Sequence, residues 1–418
     1  MTSLNFIENK QQIKARYLKG WIFMVSVKER AKELNQEIVQ WRRHIHQNPE
    51  IGFDTPRTEE FIVKNLEEMG IKEISKGVAG HGVTALIRGD KPGRVLGIRA
   101  DMDALDMKED TGLPFASTNN YMHACGHDAH VAMLLGAAKI ISESKQDLQG
   151  TVKLIFQPFE EGGKGARAMI EEGVLDNPPL DGIIGLHTGN LWKGLSPGQI
   201  GYRFGSLMAG ADWFDVTFKG KGGHGATPHL TVDPIAMACQ AVGALQMIVS
   251  RETSPLDSAV VTVAQISGGH MPNIIAPTCS IQGTLRFLDL QTREILHERV
   301  KNVCENIAQA LRGEAEVGFT IGPPPVINDT EMTKKLRKAA LEILGEDDVM
   351  EVPEPTMGGE DMAFFLEKVP GSFFFHPSSA GDGTDFPHHH PKFDIHEDVL
   401  WTGTSVMANF ALTWQQDE

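Results

Sequence analysis

The spacing of apolar residues predicts a chain in which helices and strands alternate. Apolar residues recur at helical spacing between Val27 and Pro49, and they predict one helix that the proline ends. Further along, short apolar runs predict strands at Val83–Ile87, Val95–Arg99, Val152–Gln157 and Gly182–Leu186, and helical patterns follow at Ala129–Ser142 and Ala166–Glu172. Strands that are apolar along their whole length are typical of a parallel sheet covered by helices on both faces.

A second pattern occupies residues 211–325. Its predicted elements are the strand Trp213–Phe218, the helix Pro234–Val249, the strands Ala259–Ile266 and Ile281–Phe287, the helix Arg293–Leu311 and the strand Val317–Ile321. This β-α-β-β-α-β order is that of a ferredoxin-like unit. We therefore predict an α/β fold. Residues 27–210 and 326–418 form a larger, mainly parallel-sheet domain, residues 211–325 an inserted ferredoxin-like domain, and residues 1–26 an N-terminal extension.

Composition excludes several partners and compartments. The formal net charge of -16, without a concentrated basic surface, argues against nucleic acid. No run approaches the roughly 18–20 apolar residues needed to cross a bilayer. The four cysteines are widely scattered and suggest no disulfide framework, which fits a reducing compartment. We expect a cytoplasmic protein without membrane partners.

Five polar clusters are candidates for one metal site. They are Asp101-Met-Asp103, His123 to Asp128, Glu160-Glu161, His187 and His388-His389-His390. Three of them directly follow predicted strands, where ligands bind in open α/β sheets. Together they supply thiolate, imidazole and carboxylate groups, the ligands of zinc and related divalent ions. Alone, the glutamates would more often be solvated and His187 a hydrogen-bonded core residue. The coincidence of all five clusters favours a metal site.

The adjacent glutamates suggest that the two carboxylates have different roles. One carboxylate can bind a metal ion while its neighbour takes a proton from the attacking water. This arrangement hydrolyses amides without a covalent intermediate. The pair therefore predicts a metal-dependent hydrolase.

The inserted domain carries a separate group of polar residues. Gly220, Gly222 and Gly225 satisfy a G-x-G-x-x-G spacing, but no helix opens at the third glycine and no acidic residue ends a following strand. We therefore reject a dinucleotide site and read the run as a loop that presents His224 to a ligand; a turn with a solvent-exposed histidine is the alternative. Asn273 and Arg286 could bind a carboxylate, although an arginine on a strand surface is often only structural.

Eight motifs in order resemble a known family. They are IRADMDAL (98–105), HACGHDAH (123–130), FQPFEEGGKGA (156–166), GLH (185–187), KGKGGHGATPH (219–229), PNIIAP (272–277), GGEDMAFF (358–365) and HHPKFDIHED (389–398). The chain resembles, over residues 27–415, the amidohydrolase branch of the aminoacylase and glutamate-carboxypeptidase family of dinuclear metallohydrolases. That branch includes N-acyl-amino-acid amidohydrolases, hippurate hydrolases and auxin-conjugate hydrolases.

The resemblance implies a role for individual positions. Glu160 corresponds to the general base, and Asp103 to a carboxylate that orients a metal-binding histidine. His224 corresponds to a lid histidine that reaches the partner subunit's site, and Asn273 and Arg286 to residues that hold the substrate's carboxylate. The implied metal ligands are Cys125, His127, Glu161, His187 and His389, with His388 and His390 as alternatives to the last.

The expected protein is thus a homodimer, or a higher homo-oligomer, with a catalytic metal-binding domain and a lid or dimerisation domain. It would hydrolyse the amide bond of N-acyl amino acids or related conjugates with two divalent ions. Cys125 favours zinc, and manganese, cobalt or nickel could serve. The alternatives are a metallo-carboxypeptidase or dipeptidase, and a non-catalytic metal- or peptide-binding module, which would have no use for Glu160. The sequence departs from the family pattern at Gly225 and His396.

Overall fold

The structure is a computed structural model that describes residues 27–416, apart from 191, 193, 380 and 382. The predicted extension at residues 1–26 lies outside the described residues. The helices are α1 (27–47), α2 (Pro56–Glu68), α3 (His127–Glu143), α4 (Gly165–Glu171), α5 (Pro234–Met247), α6 (Leu290–Ala310), α7 (Thr330–Leu344), α8 (Met362–Leu366) and α9 (Leu400–Thr413).

The strands are shorter on average and fall into several sheets. They are β1 (Glu73–Val78), β2 (Gly82–Arg88), β3 (Lys91–Asp101), β4 (Gln149–Gln157), β5 (Gly182–Gly189), β6 (Ile200–Tyr202), β7 (Gly205–Met208), β8 (Gly210–Lys219), β9 (Gly223–His224), β10 (Ala259–Gly268), β11 (Ile274–Ile275), β12 (Thr278–Phe287), β13 (Glu314–Ile321), β14 (Val326–Asn328), β15 (Val349–Glu351) and β16 (Gly371–Pro377).

The chain divides into two compact units. The first comprises the described residues up to Gly205, with Ile327–Glu354 and the residues from Phe364 onward. The second comprises Ser206–Val326 and Pro355–Ala363. Among the described helices, none is long and apolar enough to cross a membrane.

The first unit contains an eight-stranded sheet in the order β1-β2-β4-β3-β5-β16-β6-β15. Its centre is parallel: β3 pairs with β4 and β5, and β5 pairs with β16. All eight residues of β5 are buried, as the continuous apolar run predicts. Helices α3, α7 and α9 contribute buried apolar faces to the same core as the sheet. The predicted mainly parallel sheet is confirmed.

One edge of this sheet is antiparallel. Strand β2 runs antiparallel to both β1 and β4. Only residues 89 and 90 separate β2 from β3, so the chain must reverse between them, yet β4 lies between the two strands. This placement comes from pairing between segments far apart in the sequence, and the local pattern does not reveal it.

The second unit contains a four-stranded antiparallel sheet in the order β10-β12-β8-β13. This order, together with the β8-α5-β10-β12-α6-β13 succession, confirms the predicted ferredoxin-like arrangement. Buried residues alternate with more exposed ones along β8, because one face of the sheet packs on α5 and α6. Strands β9 and β11 form a separate two-stranded ribbon.

Candidate metal centre

The predicted metal residues of the first unit gather beyond the ends of β3, β4 and β5. Asp101 is the last residue of β3 and pairs in register with Gln157, the last residue of β4. Asp103 and the glutamate pair follow these two strands directly, and His187 lies near the end of β5. The carboxyl ends of neighbouring parallel strands therefore bring segments that are distant in sequence to one edge, as predicted.

Close contacts join the five predicted ligands. The Cys125 Sγ atom lies 3.5 Å from Nε2 of His187. The Nε2 atom of His389 lies 3.3 Å from a carboxylate oxygen of Glu161. Two groups of three potential ligand atoms, each within 4.8 Å of one another, share the cysteine: Cys125, His127 and His187, and Cys125, Glu161 and His389. Two adjacent sites with a common thiolate are therefore possible.

Two buried atoms in this cluster lack hydrogen-bond partners. They are Nε2 of His127 and Oε1 of Glu161, which lie 4.0 Å apart. Buried polar atoms are normally satisfied, so two facing atoms without partners indicate room for a bound group. Since both can donate an electron pair to a metal ion, these residues fit a divalent cation.

The electrostatics of His127 support the same conclusion. Burial alone would lower the pKa of this imidazole, but the carboxylate of Asp101 and a hydrogen bond with Asp103 outweigh it and raise the pKa to about 10. The surroundings thus favour positive charge at this ring. A divalent cation satisfies that preference in place of the proton.

Backbone groups orient the two histidines. The Nδ1 atom of His187 donates to the carbonyl of Thr188 at 2.8 Å, and Nδ1 of His127 donates to the carbonyl of Asp103 at 2.9 Å. In each ring the Nε2 atom faces the cluster. Burial, followed by the neighbouring ring of His130, holds the pKa of His187 well below its ordinary value, which keeps this imidazole neutral and able to bind metal.

The carboxylate of Asp103 binds the backbone of the glutamate pair. Its two carboxylate oxygens accept the backbone N–H groups of Glu160, at 2.9 Å, and Glu161, at 3.3 Å. Burial, and then the charge of Glu161, raises the pKa of Asp103 despite its hydrogen bond with His127. The carboxylate of Asp103 therefore fixes the backbone from which both glutamates project, whereas the hydrogen bond to Nδ1 of His127 is accepted by the backbone carbonyl of Asp103.

The three consecutive histidines have different surroundings. His388 donates from Nε2 to the carbonyl of Thr188 at 3.1 Å, and His390 stacks on Phe386 with ring centroids 4.6 Å apart. The ring of His389 instead points to Glu161, and its side chain is 54% exposed. Its φ of 62° lies in the left-handed region, which is uncommon for a residue other than glycine. This geometry favours His389 over its two neighbours as a ligand.

Asp101, a member of one of the five predicted clusters, lies in a buried network beside His127 whose other members, Arg99 and His130, were given no role from the sequence. Asp101 accepts a hydrogen bond from Arg99 at 2.7 Å and contacts His130. The backbone N–H of Thr188 donates to Nε2 of His130 at 2.8 Å. Burial would raise the pKa of Asp101, but His127, His130 and Arg99 hold it well below its ordinary value. The sequence contained a signal for this network, because His130 lies three residues after His127 and therefore on the same helical face.

The remaining predicted residues belong to the second unit. His224 is exposed in β9, where it pairs with Ile274, and its Nδ1 accepts the backbone N–H of Ala226 at 3.0 Å. The carbonyl of Asn273 accepts the N–H of Gly225 at 2.9 Å, so His224 and Asn273 lie on one ribbon. A side chain at Gly225 would place its Cβ 3.1 Å from that carbonyl oxygen. A side chain at this position would therefore press on the backbone of Asn273.

Arg286 lies on β12 of the second unit, in register with Ala211 of β8. Burial lowers the pKa of its guanidinium. A Cβ atom added at Gly359 would lie 3.1 Å from a terminal guanidinium nitrogen, so the backbone of the GGED motif passes close to this arginine.

Three comparisons place the chain among known proteins. It is 42% identical over 374 residues to N-acetyl-L-cysteine deacetylase of Bacillus subtilis, covering 88% of this chain and 85% of the relative. It is 40% identical to IAA-amino acid hydrolase ILR1-like 2 of Arabidopsis thaliana, covering 93% and 88%. The crystal structure of the Bacillus subtilis YXEP protein, a dinuclear metal binding peptidase from the M20 family, matches with a TM-score of 0.81 and 34% identity, covering 92% and 99%.

These relatives confirm the prediction that the chain is a metal-dependent amidohydrolase. The sequence pattern of one family matches residues 97–413, which is most of the chain. The chain belongs to Peptidase family M20/M25/M40.

Proposed function

We propose that the protein hydrolyses the amide bond of N-acyl amino acids or related conjugates and releases a carboxylic acid and a free amino acid. The observation that carries this proposal is the glutamate pair, whose two backbone N–H groups are both held by Asp103. The carboxylate of Glu161 lies among potential metal ligands, and Glu160 directly precedes it on the same turn. The two curated relatives are named for an N-acetylated amino acid and for conjugates of amino acids, which supports this substrate class.

The proposed ligands of two divalent ions are Cys125, His127, Glu161, His187 and His389. When bound, such ions polarise the substrate's carbonyl and lower the pKa of water. A thiolate among the donors favours zinc, with manganese, cobalt or nickel as alternatives.

Glu160 is the proposed general base. Its carboxylate lies 3.9 Å from Nε2 of His127, beside the ligand cluster. It would take a proton from the water that attacks the amide carbon, and would pass this proton to the amine nitrogen as the carbon–nitrogen bond breaks. The water's oxygen ends in the carboxylic acid, and the amino acid leaves with its amine restored.

The roles of the second unit rest on resemblance. We assign His224 to stabilisation of the developing negative charge on the carbonyl oxygen in a partner subunit, and Asn273 and Arg286 to the substrate's carboxylate. The protein would therefore be a homodimer or a higher homo-oligomer. Residues 27–210 and 326–418 would form its catalytic domain, and residues 211–325 its lid. A cytoplasmic location is also part of the proposal, in keeping with the four widely scattered cysteines of the sequence.

A substrate panel tests the proposed function. The purified protein would be stripped with a chelator and restored with zinc, manganese or cobalt, and release of free amine would be measured with N-acetyl amino acids, hippurate and simple dipeptides. We expect no hydrolysis after stripping and recovery with metal, with acylated amino acids preferred. Faster cleavage of dipeptides would indicate a carboxypeptidase. Metal binding without any hydrolysis would indicate a binding module.

Subunit exchange tests the proposed role of His224. His224→Ala and Glu160→Gln should each be nearly inactive alone. After verified exchange, one site of each mixed dimer should combine an intact His224 with an intact Glu160 and regain activity. His229→Ala, which removes another exposed histidine of the same loop, serves as the control and should stay active. Absence of complementation in an exchanged mixture would rule out action across subunits.

A further inference from the structure

Arg42 of α1 is a fully buried arginine that binds three carboxylates. Its guanidinium donates to Asp128 at 2.8 Å, to Asp394 at 2.8 Å and to Glu397 at 2.9 Å. Its side chain is only 1% exposed. A buried charge is costly unless it is paired and hydrogen-bonded, so the three partners together make this position tenable.

The three carboxylates come from two segments that carry proposed metal ligands. Asp128 directly follows His127 at the start of α3. Asp394 and Glu397 follow His389 in the C-terminal HHPKFDIHED segment. One planar guanidinium therefore joins two parts of the ligand set that lie far apart in the sequence. Arginine suits this task because its donors form a rigid fork.

The segment that carries His389 depends on such contacts for its shape. Residues 388–396 form no helix or strand. The left-handed backbone of His389 costs roughly 1–2 kcal/mol, so its surroundings must impose it. Apart from Arg42, these surroundings include the carbonyl of Ala124, which accepts the N–H of His389 at 2.8 Å, and the N–H of Asp110, which donates to the carbonyl of Pro391 at 2.8 Å.

Two neighbouring side chains of α1 share these carboxylates with Arg42. His46, one turn further along α1, contacts the same oxygen of Asp128 from Nδ1 at 2.8 Å. Arg43 binds Glu397 from the solvent side, where its side chain is 47% exposed and the pair contributes little. The buried interactions of Arg42 are thus the main link from α1 to Asp394 and Glu397.

We infer that Arg42 is a positioning residue for the metal centre, which holds the segment bearing His389 in register with the start of α3. The inference rests on the proposed metal ligands. It has an asymmetric consequence: loosening the segment should weaken the site formed by Cys125, Glu161 and His389 more than the site formed by Cys125, His127 and His187.

Two variants test the contact between Arg42 and the segment that bears His389. Asp394→Asn keeps the side chain's size and removes the charge paired with Arg42. Arg42→Lys keeps the positive charge but lacks the planar fork of donors that spans the three carboxylates. The full-length, cobalt-loaded protein would be titrated with a competing chelator, and loss of the ions would be followed by cobalt absorption. We expect the cobalt ions to leave in two steps. In both variants, the step of the more weakly held ion should occur at a chelator concentration about 10- to 100-fold lower than in wild type, and the other step should be unchanged.

Arg293→Lys is the matched control. Arg293 makes a paired interaction with the buried Asp212, with two contacts of 2.7 Å, and belongs to the second unit, whereas the proposed ligands belong to the first. The Arg293→Lys variant should have lower thermal stability, but neither step of cobalt loss should change. Unchanged steps in both Arg42 and Asp394 variants would overturn the inference. An equal weakening of both steps would also overturn it, because that result indicates a general loss of structure.

Failure of the proposed function gives a different result. A wild-type protein that holds two cobalt ions, responds to the variants as expected and hydrolyses no amide would leave the positioning role standing and refute the proposed reaction. A wild-type protein that retains no cobalt would refute both.

Discussion

Replacing Asp103 with asparagine tests whether one buried carboxylate fixes the glutamate pair. The two oxygens of Asp103 accept the N–H groups of Glu160 and Glu161 at 2.9 and 3.3 Å. Asparagine has nearly the same shape, but one of its two terminal groups is an amide NH2 that cannot accept. One backbone N–H would therefore face another donor in a buried site.

The size of the effect follows from these contacts. A hydrogen bond to a charged group contributes about 1.5–3 kcal/mol, and a factor of ten corresponds to about 1.4 kcal/mol. If the loss falls on the orientation of Glu160 in the transition state, kcat/KM should decrease by roughly 10- to 100-fold. The same loss should lower the free energy of unfolding by about 1–3 kcal/mol, because a buried donor is left unsatisfied.

The measurement is steady-state hydrolysis of an N-acetyl amino acid at saturating metal, with metal content determined on the same samples. Asp106→Asn is the matched control, since this carboxylate is exposed and lies three residues further along the chain. It should retain normal activity. If Asp103→Asn kept kcat/KM within twofold of wild type at full metal content, the reasoning from these two hydrogen bonds would be wrong.

Three further predictions concern single side chains. Glu160→Gln should retain its metal and lower kcat by about 100-fold or more, because only the proton acceptor is lost; near-normal turnover would assign the base elsewhere. Cys125→Ala should contain less metal than wild type at equal metal concentration, and unchanged content by elemental analysis would contradict ligation by this thiolate. Burial lowers the pKa of His376 to about 4. Because its unfolded pKa is about 6.5, the unfolded state binds the proton first, and stability should fall as pH decreases through this window, by about 2 kcal/mol between pH 8 and pH 5. Urea unfolding of metal-free protein should show that much less pH dependence in His376→Gln, and an equal dependence would refute the assignment.

The sequence predicted those features that depend on local pattern. Apolar runs such as Gly182–Leu186 marked the buried central strands, and the succession of elements between 211 and 325 indicated the ferredoxin-like unit that the structure contains. Clusters directly after strands were expected at one edge because parallel strands end together. Asp103 and Glu160 meet there, as this reasoning requires.

Features that depend on long-range pairing were not predicted. The position of β4 between β2 and β3 is one example, because nothing in either segment specifies its neighbour. The buried partners of Arg42 are another example. The local pattern of its helix does not distinguish this arginine from other polar positions, because the carboxylates that it binds lie 86 or more residues away. Only the folded chain shows that its charge is buried.

The division of the chain into two units has a practical consequence for protein engineering. The second unit includes Pro355–Ala363, a short stretch separated from the rest of that unit by Ile327–Glu354. Within the unit, the N–H of Ala209 donates to the carbonyls of Thr356 and Gly358, and the N–H of Thr356 donates to that of Leu207. An expression fragment that stops at Val326 would leave these backbone groups without their partners. A fragment intended to fold alone therefore needs the second stretch joined to the first by a linker, and a cut at one boundary would not release either unit.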